Sequence, residues 1–494
     1  MSNALLNCLG QAIPLLVGIA TIPLIIRGLG PEAFGVLGLI WVLMGYFSAF
    51  DLGLGRATTK YTAQYLREGQ SERLAGLIWS SLYLNLALGI LGGAVVASLA
   101  PFLVDKVFAI PGALARETVL SFYLLAATLP AVLLSMSLRG VLEGSQRFDL
   151  VNVVKVPTNA SLFVLPAVGA ACGLNLSGVV ALLMLATLAA SLAYFAACRR
   201  AFLPLRQRFR PDRKSITSLF GYGSWVAVSS VVSPILVYLD RFLIASLLSV
   251  TALAYYTAPY EMIVRLWIIP SSLVAVLFPA FSALGASASR EKLEDLYARS
   301  IKYLAVSVGP VVVGLIVFAE PLLQLWLGTD FARHSTLVIQ ILSVGVFANS
   351  LAQVPHSLIL GFGRPDLVAK SHIAELVVYV GLVWLLINEA GLAGAALAWA
   401  TRMVLDAALL FAIAARLRLA AAPALRGHGL WRATLIICLL GGAAEAVTLA
   451  IQSELWLLKS AVFLVLLAVF AVGVWHWAFD AHDRHVFRFR ALHL

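Results

Sequence analysis

Apolar segments long enough to cross a bilayer follow one another along almost the whole chain, separated by short gaps that hold most of the charge. About twenty apolar residues span the roughly 30 Å hydrocarbon core as a helix. We count fourteen such segments: 4–26, 34–55, 75–97, 118–138, 156–173, 177–198, 219–247, 253–281, 301–319, 335–361, 372–388, 391–415, 433–451 and 457–479. Backbone polar groups in lipid must be satisfied internally, so a chain patterned this way spans as helices. The expected fold class is an all-α polytopic membrane protein. Composition excludes the soluble alternatives. Of 494 residues, 61% are hydrophobic and 12% charged, about half the charged fraction of an ordinary soluble domain.

The gaps set the orientation. The gap after the sixth span carries Arg199, Arg200, Arg206, Arg208, Arg210, Arg213 and Lys214, and that after the second carries Arg56, Lys60, Arg67 and Arg73. The gaps after odd-numbered spans hold few cations: Arg27, Lys106, Arg116, Arg333 and Lys459. The positive-inside rule then predicts both termini in the cytoplasm. The net charge of +11 belongs to these gaps and not to a soluble basic domain, so no nucleic-acid partner is expected. The N-terminus has neither a basic n-region nor an A-x-A-like site, and no cleaved signal peptide is expected. Cys8, Cys172, Cys198 and Cys438 lie in apolar stretches without ligand spacing. They read as buried thiols, with no disulfide and no metal site. The longest periplasmic gap is read at 98–117.

The chain carries an internal duplication. Residues 144–151 and 361–368 share the pattern G-x-x-R-x-D-L-V at an offset of 217, each after the fourth span of its half. Gly173-Leu174 before Gly178, and Gly391-Leu392 before Gly394, repeat a second landmark. The expected organisation is a six-helix bundle over 1–217 and a second over 218–432. Two further helices and a tail follow over 433–494. Six spans per half gives both halves one orientation, hence a pseudo-two-fold axis along the membrane normal, as in transporters that rock two halves about a shared site.

Charges at membrane depth cost several kcal/mol by most estimates and mark function or pairing. Asp240, Arg241, Glu261, Arg265, Glu375, Arg402, Asp406 and Glu445 lie in or near spans. Glu261/Arg265 and Arg402/Asp406 stand at i,i+4 and share helix faces. Two readings are open: structural ion pairs, or a cationic patch that holds an anionic substrate group. For the second, Arg241 and Arg265 are the leading candidates and Arg402 a lesser one, because Asp406 can neutralise it. Asp51, Arg56 and Lys60 close the second span and suit either a phosphate entry site or a solvated helix end. Tyr222, Trp225, Tyr238, Tyr255, Tyr256, Tyr260 and Trp267 cluster in one region. They fit either an interfacial belt or rings that stack on sugars; Tyr256 and Tyr260 share a helix side. The His-rich C-terminus (His476, His482, His485, His493) reads as a solvated tail, and His356 as a buried histidine or a proton carrier. There is no Walker A sequence, nucleophile elbow or H-E-x-x-H, so neither a cofactor nor catalysis is expected.

The order of short motifs resembles one known family. Arg27-Gly-Leu-Gly30-Pro-Glu-Ala-Phe-Gly35 is followed by Asp51-Leu-Gly53-Leu-Gly55 and Gly144-x-Gln146-Arg-Phe. Asp240-Arg241 with Ala254-Tyr255-Tyr256, Phe278-Pro279 and Gly361-x-Gly363-Arg-Pro come after. Over essentially the whole chain this resembles bacterial polysaccharide-biosynthesis flippases of the O-antigen and exopolysaccharide repeat-unit type. These belong to the multidrug/oligosaccharidyl-lipid/polysaccharide exporter superfamily. The resemblance implies a 6+6+2 architecture and alternating access in the inner membrane. The implied substrate is an undecaprenyl-diphosphate-linked oligosaccharide, moved from the cytoplasmic to the periplasmic leaflet. Membrane lipid, a coupling ion (H+ or Na+), and a polysaccharide polymerase and glycosyltransferases are the implied partners. The expected substrate site comes from the residues themselves and not from the resemblance: Arg241, Arg265, Asp240, Glu261, Tyr256, Tyr260, Arg402, Arg56 and Lys60. The rival readings are a cation-coupled multidrug antiporter, a lipid II flippase, and a membrane glycosyltransferase or polymerase.

Overall fold

A computed structural model describes residues 2–201, 232, 234–286, 290–417, 429–450 and 456–485. Among them there is no strand. The helices are α1 Ser2–Phe50, α2 Leu54–Arg67, α3 Ser71–Phe102, α4 Gly112–Gly144, α5 Phe148–Ala171, α6 Leu176–Ala201, α7 over 234–247, α8 Val250–Ile263, α9 Ile268–Ala286, α10 Arg290–Val317, α11 Ala319–Leu327, α12 Thr329–Gly361, α13 Pro365–Arg416, α14 Leu430–Ala450 and α15 Trp456–Gly473. Eleven of the described helical stretches are long and apolar enough to cross a membrane. The chain is a multi-pass membrane protein.

Two of these runs are longer than any single span. The 52 residues of α13 would measure about 78 Å if straight, more than twice the bilayer core. The run is broken at Gly391, where φ is 56° and ψ −129°, a conformation open to glycine and strained for other residues. The chain doubles back there so tightly that a Cβ on Gly394 would lie 1.8 Å from the Leu386 carbonyl oxygen. α1 is likewise broken at Gly30 (φ 83°, ψ 161°). The break at Gly30 falls in the gap expected between the spans 4–26 and 34–55, and that at Gly391 falls on the first residue of the expected span 391–415.

The second expected span, 34–55, ends earlier, at Phe50. Leu52 and Gly53 both take positive φ, which stops α1, and the polar helix α2 starts afresh at Leu54. The gap expected at 98–117 is also shorter, because α3 continues helically through Val107 and α4 opens at Gly112. Helices that outrun the hydrocarbon core keep their own hydrogen bonds, and hydropathy places span ends at the core edge. The seventh span is described only from residue 232, so Tyr222 and Trp225 lie outside the described residues. So do His493 and the gap cations Arg206, Arg208, Arg210, Arg213 and Lys214.

Packing divides the chain into two compact units, 1–258 and 259–494. This division differs from the halves expected from the repeat, 1–217 and 218–432, because it follows contacts. In the first unit Leu74, Ile78, Leu138, Val141, Tyr194 and Cys198 form an apolar core. α7 and the first part of α8, up to Ala258, belong to this unit: a Cβ on Gly35 would stand 1.7 Å from the Val250 oxygen, and the Ala109 N–H donates to the Ala245 carbonyl at 3.1 Å. In the second unit Phe281, Tyr297, Leu304 and Leu358 are buried together. α14 and α15 pack against Val313 of α10 through Ile436, Leu440 and Phe470.

The duplicated motif makes the same turn twice. After α4, the N–H of Gln146 donates to Glu143 and that of Arg147 to Leu142; after α12, Gly363 donates to Leu360 and Arg364 to Ile359. Gln146 (φ 58°) and Gly363 (φ 70°) sit at the matching left-handed position. This is the Schellman ending of a helix. Each arginine then clamps the aspartate two residues on: Arg147 holds Asp149 at 2.9 Å and Arg364 holds Asp366 at 2.9 Å. Backbone and side chains therefore repeat together at the offset of 217.

Of the cysteines, Cys198 is buried, whereas Cys172 and Cys438 are exposed free thiols. The expectation of burial fails for those two because an apolar stretch in a membrane protein can face lipid as well as protein.

Candidate functional site

Two groups of charge occur in the region singled out from sequence, one in each unit, the first buried and the second half-buried. In the first unit, α7 carries Asp240, fully buried, and Arg241, 3% exposed. The Tyr256 hydroxyl donates to Asp240 Oδ2 at 2.6 Å, and the Arg241 backbone N–H donates to Oδ1 at 2.9 Å. The Arg241 guanidinium lies 5.3 Å from the centre of the Tyr238 ring, a cation–π distance. Tyr238 in turn meets Tyr46 at 5.6 Å. The approach depends on Gly45, where a Cβ would come within 2.2 Å of the Tyr238 ring.

In the second unit Glu261 and Arg265 form the ion pair their spacing suggests, at 2.9 Å, and Arg265 Nε also donates to the Glu261 carbonyl at 3.2 Å. Arg265 sits in a 3₁₀ stretch, Val264–Trp267, between α8 and α9, a local tightening often found at hinges. Tyr260 is buried and meets Trp399 edge-on at 5.6 Å; Trp267 meets the same indole at 6.4 Å. Tyr256 and Tyr260 are both buried, so neither belongs to an interfacial belt in this structure.

Arg56 and Lys60 lie on the exposed side of α2, and Lys60 Nζ stands 5.2 Å from the Tyr61 ring centre. Asp51, by contrast, turns inward. It accepts from the Gly55 N–H at 2.9 Å and from Asn85 Nδ2 at 3.2 Å. From Asn85 a buried polar chain runs through Ser137 and Ser81 to Thr58, with spacings of 2.5, 2.6 and 2.7 Å. Asp51 therefore anchors α2 in the bundle, and only the two cations face outward.

A third group was not assembled from sequence. The two arms of α13 meet beside α12 and bring together His372, Glu375, Tyr379, Arg402 and Asp406. Arg402 does not pair with Asp406 four residues on. It faces Glu375 of the other arm at 3.9 Å and the Tyr379 ring at 5.2 Å. Asp406 faces His372 at 3.9 Å and Asn349 at 3.4 Å. The signal was available: Glu375 and Asp406 are nearly equidistant along the chain from Gly391, and such residues of a helical hairpin lie at one depth.

At the C-terminal end, Asp483 is buried and bonded by Lys302, also buried, while Tyr303 donates to it at 2.6 Å. Arg299 reaches Asp295 at 2.7 Å and Asp480 at 2.8 Å. The tail was expected to be solvated. His476, His482 and His485 are indeed exposed, yet the segment is fastened to α10 between them.

Helical spans with charges buried among them define a polytopic membrane protein built like a transporter, and related proteins narrow the class. The sequence matches the family described as polysaccharide biosynthesis protein over residues 24–336. It is 30% identical over 410 residues, 83% of this chain and 96% of the relative, to the "Putative O-antigen transporter" of Shigella flexneri. The chain belongs to the polysaccharide biosynthesis protein family. Its fold is similar to the lipid II flippase MurJ in an inward closed conformation (TM-score 0.73, 12% identity, 94% of this chain and 97% of that one). It is also similar to a multidrug resistance MATE family transporter of the MOP superfamily in an inward-facing conformation (TM-score 0.70, 19% identity, 83% and 98%). At these identities the likeness is one of fold.

Proposed function

We propose that this chain is a flippase with fourteen spans. It moves an undecaprenyl-diphosphate-linked oligosaccharide repeat unit from the cytoplasmic to the periplasmic leaflet of the inner membrane by alternating access. Kinship with an O-antigen transporter over nearly the whole of that relative's length supports the substrate class. The observation that carries the reading is Arg241, a guanidinium 3% exposed in a membrane helix, since intramembrane cations mark anion pathways. A lipid-linked sugar needs no chemistry, only a route on which its diphosphate avoids hydrocarbon. In this reading Arg241 meets the diphosphate. Arg265 exchanges Glu261 for the same anion, and Tyr256, Tyr260 and the neighbouring indoles face the sugars. Arg56 and Lys60 offer the outward cations of α2 to the arriving headgroup, and Arg402 stays with Glu375. A gradient of H+ or Na+ drives the cycle, and a polymerase and glycosyltransferases act before and after it.

The docking of Asp483 onto Lys302 and Arg299 supports the topology, because it sets the tail and the start of α10 at one membrane face. With the positive-inside count, that face is the cytoplasmic one. The test is surface polysaccharide in a strain that depends on this gene. Arg241→Ala and Arg265→Ala are expected to abolish polymer at normal protein level. Undiminished polymer in both variants, or resistance to cationic drugs in its place, overturns the reading.

A further inference from the structure

The group on α13 carries a charge imbalance that substrate binding does not explain. A ring nitrogen of His372 and one carboxylate oxygen each from Glu375 and Asp406 lie within 4.8 Å of one another. Glu375 is 5% exposed and Asp406 7%. No hydrogen-bond donor reaches either oxygen of Glu375, nor Oδ1 of Asp406. The charged and titratable groups that act on this pair are Arg402, His372 and His356. Arg402 supplies one positive charge, at 3.9 Å from Glu375, too far for a hydrogen bond. With neutral imidazoles, two carboxylates and one guanidinium leave a net charge of −1 buried among membrane helices. Such a charge is costly unless it is neutralised in place. A divalent metal would overshoot to +1 beside a guanidinium, whereas one proton brings the group to zero. Two carboxyl groups at this range cannot both ionise cheaply and share a proton instead.

We infer that Glu375 and Asp406 hold one exchangeable proton between them, delivered and removed through His372. Side-chain exposure falls along that route, from 33% at His372 to 10% at Asp406 and 2% at Glu375. His372 lies about two helical turns inside the start of α13. The His372 ring stands 3.9 Å from Asp406 Oδ1, so a small ring movement or one water closes the gap. The proton leaves the imidazolium nitrogen for Asp406 Oδ1, the ring returns to neutral, and the two carboxyl groups then share the proton. Its role as the coupling ion rests on the transport reading above; its presence rests on charge balance alone.

The test is infrared spectroscopy of the purified full-length protein in detergent, in sodium-free and sodium-containing buffers. A protonated-carboxyl C=O band is expected at neutral pH in both buffers, shifting in heavy water. Glu375→Gln and Asp406→Asn should each remove it, and Asp366→Asn, in the exposed clamp, should leave it unchanged. His372→Ala should keep the band and slow its exchange about tenfold or more, an increase in the barrier of at least about 1.4 kcal/mol. The inference is overturned if the unaltered protein shows no such band, if the band survives in both carboxyl variants, or if sodium abolishes it. The first and third readouts need no variant to fold. Loss of polymer in Arg241→Ala bears on the transport reading only, so the two fail separately.

Discussion

Asp483→Asn should release the C-terminal segment from α10, and the size of the effect can be worked from the contacts. Burial alone would raise the Asp483 carboxyl above its usual range. The bonds from Lys302, from Tyr303 and from the Asp480 N–H outweigh that and hold it at about 2. Against an ordinary value of about 3.9, the difference of about two units is worth roughly 2.6 kcal/mol. Removing one partner of a buried pair costs about 3–5 kcal/mol, because the other charge stays buried alone. The lone group here would be Lys302, since Arg299 keeps Asp295 and Asp480. Opening of residues 479–485 should therefore become easier by about 3 kcal/mol. Their amide exchange should speed up roughly a hundredfold. The pKa is depressed in the folded protein, so the stabilisation is full above about pH 4 and is lost as pH falls from there towards 2. Exchange measured at descending pH, corrected for intrinsic rates, should show protection declining through that window in the unaltered protein and no such decline in Asp483→Asn. The double variant Lys302→Met, Asp483→Leu should recover most of the protection, because it leaves no unpaired charge. Exchange in Asp483→Asn within about threefold of the unaltered protein would refute the accounting.

Two further perturbations probe the backbone and the first unit. Gly391→Ala puts a Cβ on a residue held at φ 56° and ψ −129° and should cost about 1–3 kcal/mol in backbone strain, measured by thermal unfolding of the detergent-solubilised protein. Gly381→Ala, where a Cβ likewise meets nothing within 4 Å but φ is not positive, should change stability by less than about 1 kcal/mol. Tyr256→Phe removes a donor from buried Asp240 and should destabilise by about 1–3 kcal/mol, whereas Tyr83→Phe, at an exposed position, should be neutral in the same measurement.

Hydropathy and charge were enough to read the helical class and the membrane, because lipid leaves the backbone few choices and the gaps carry the cations; the family came only from the resemblance carried by the order of short motifs. The duplication was legible for a local reason. The G-x-x-R-x-D-L-V pattern encodes its own geometry, a left-handed residue followed by an arginine–aspartate clamp, and so survives in both halves whatever surrounds it. Pairing was not legible where partners lie on different helices. Spacing alone tied Glu261 to Arg265, which pair, and Arg402 to Asp406, which do not. An i,i+4 rule knows nothing of Glu375 on the opposing arm, and a guanidinium on a long side chain can reach either. The same limit hid the docking of Asp483, an acid in a tail that looked solvated, and the inward turn of Asp51, a residue at a span end. In each case the deciding fact was depth relative to a neighbouring helix. Depth becomes predictable once hairpins are paired about their turns: residues at equal distance from Gly391 meet, and charges that meet in a membrane must balance. Applied to α13, that step alone brings Glu375 to Asp406 and leaves one negative charge unanswered.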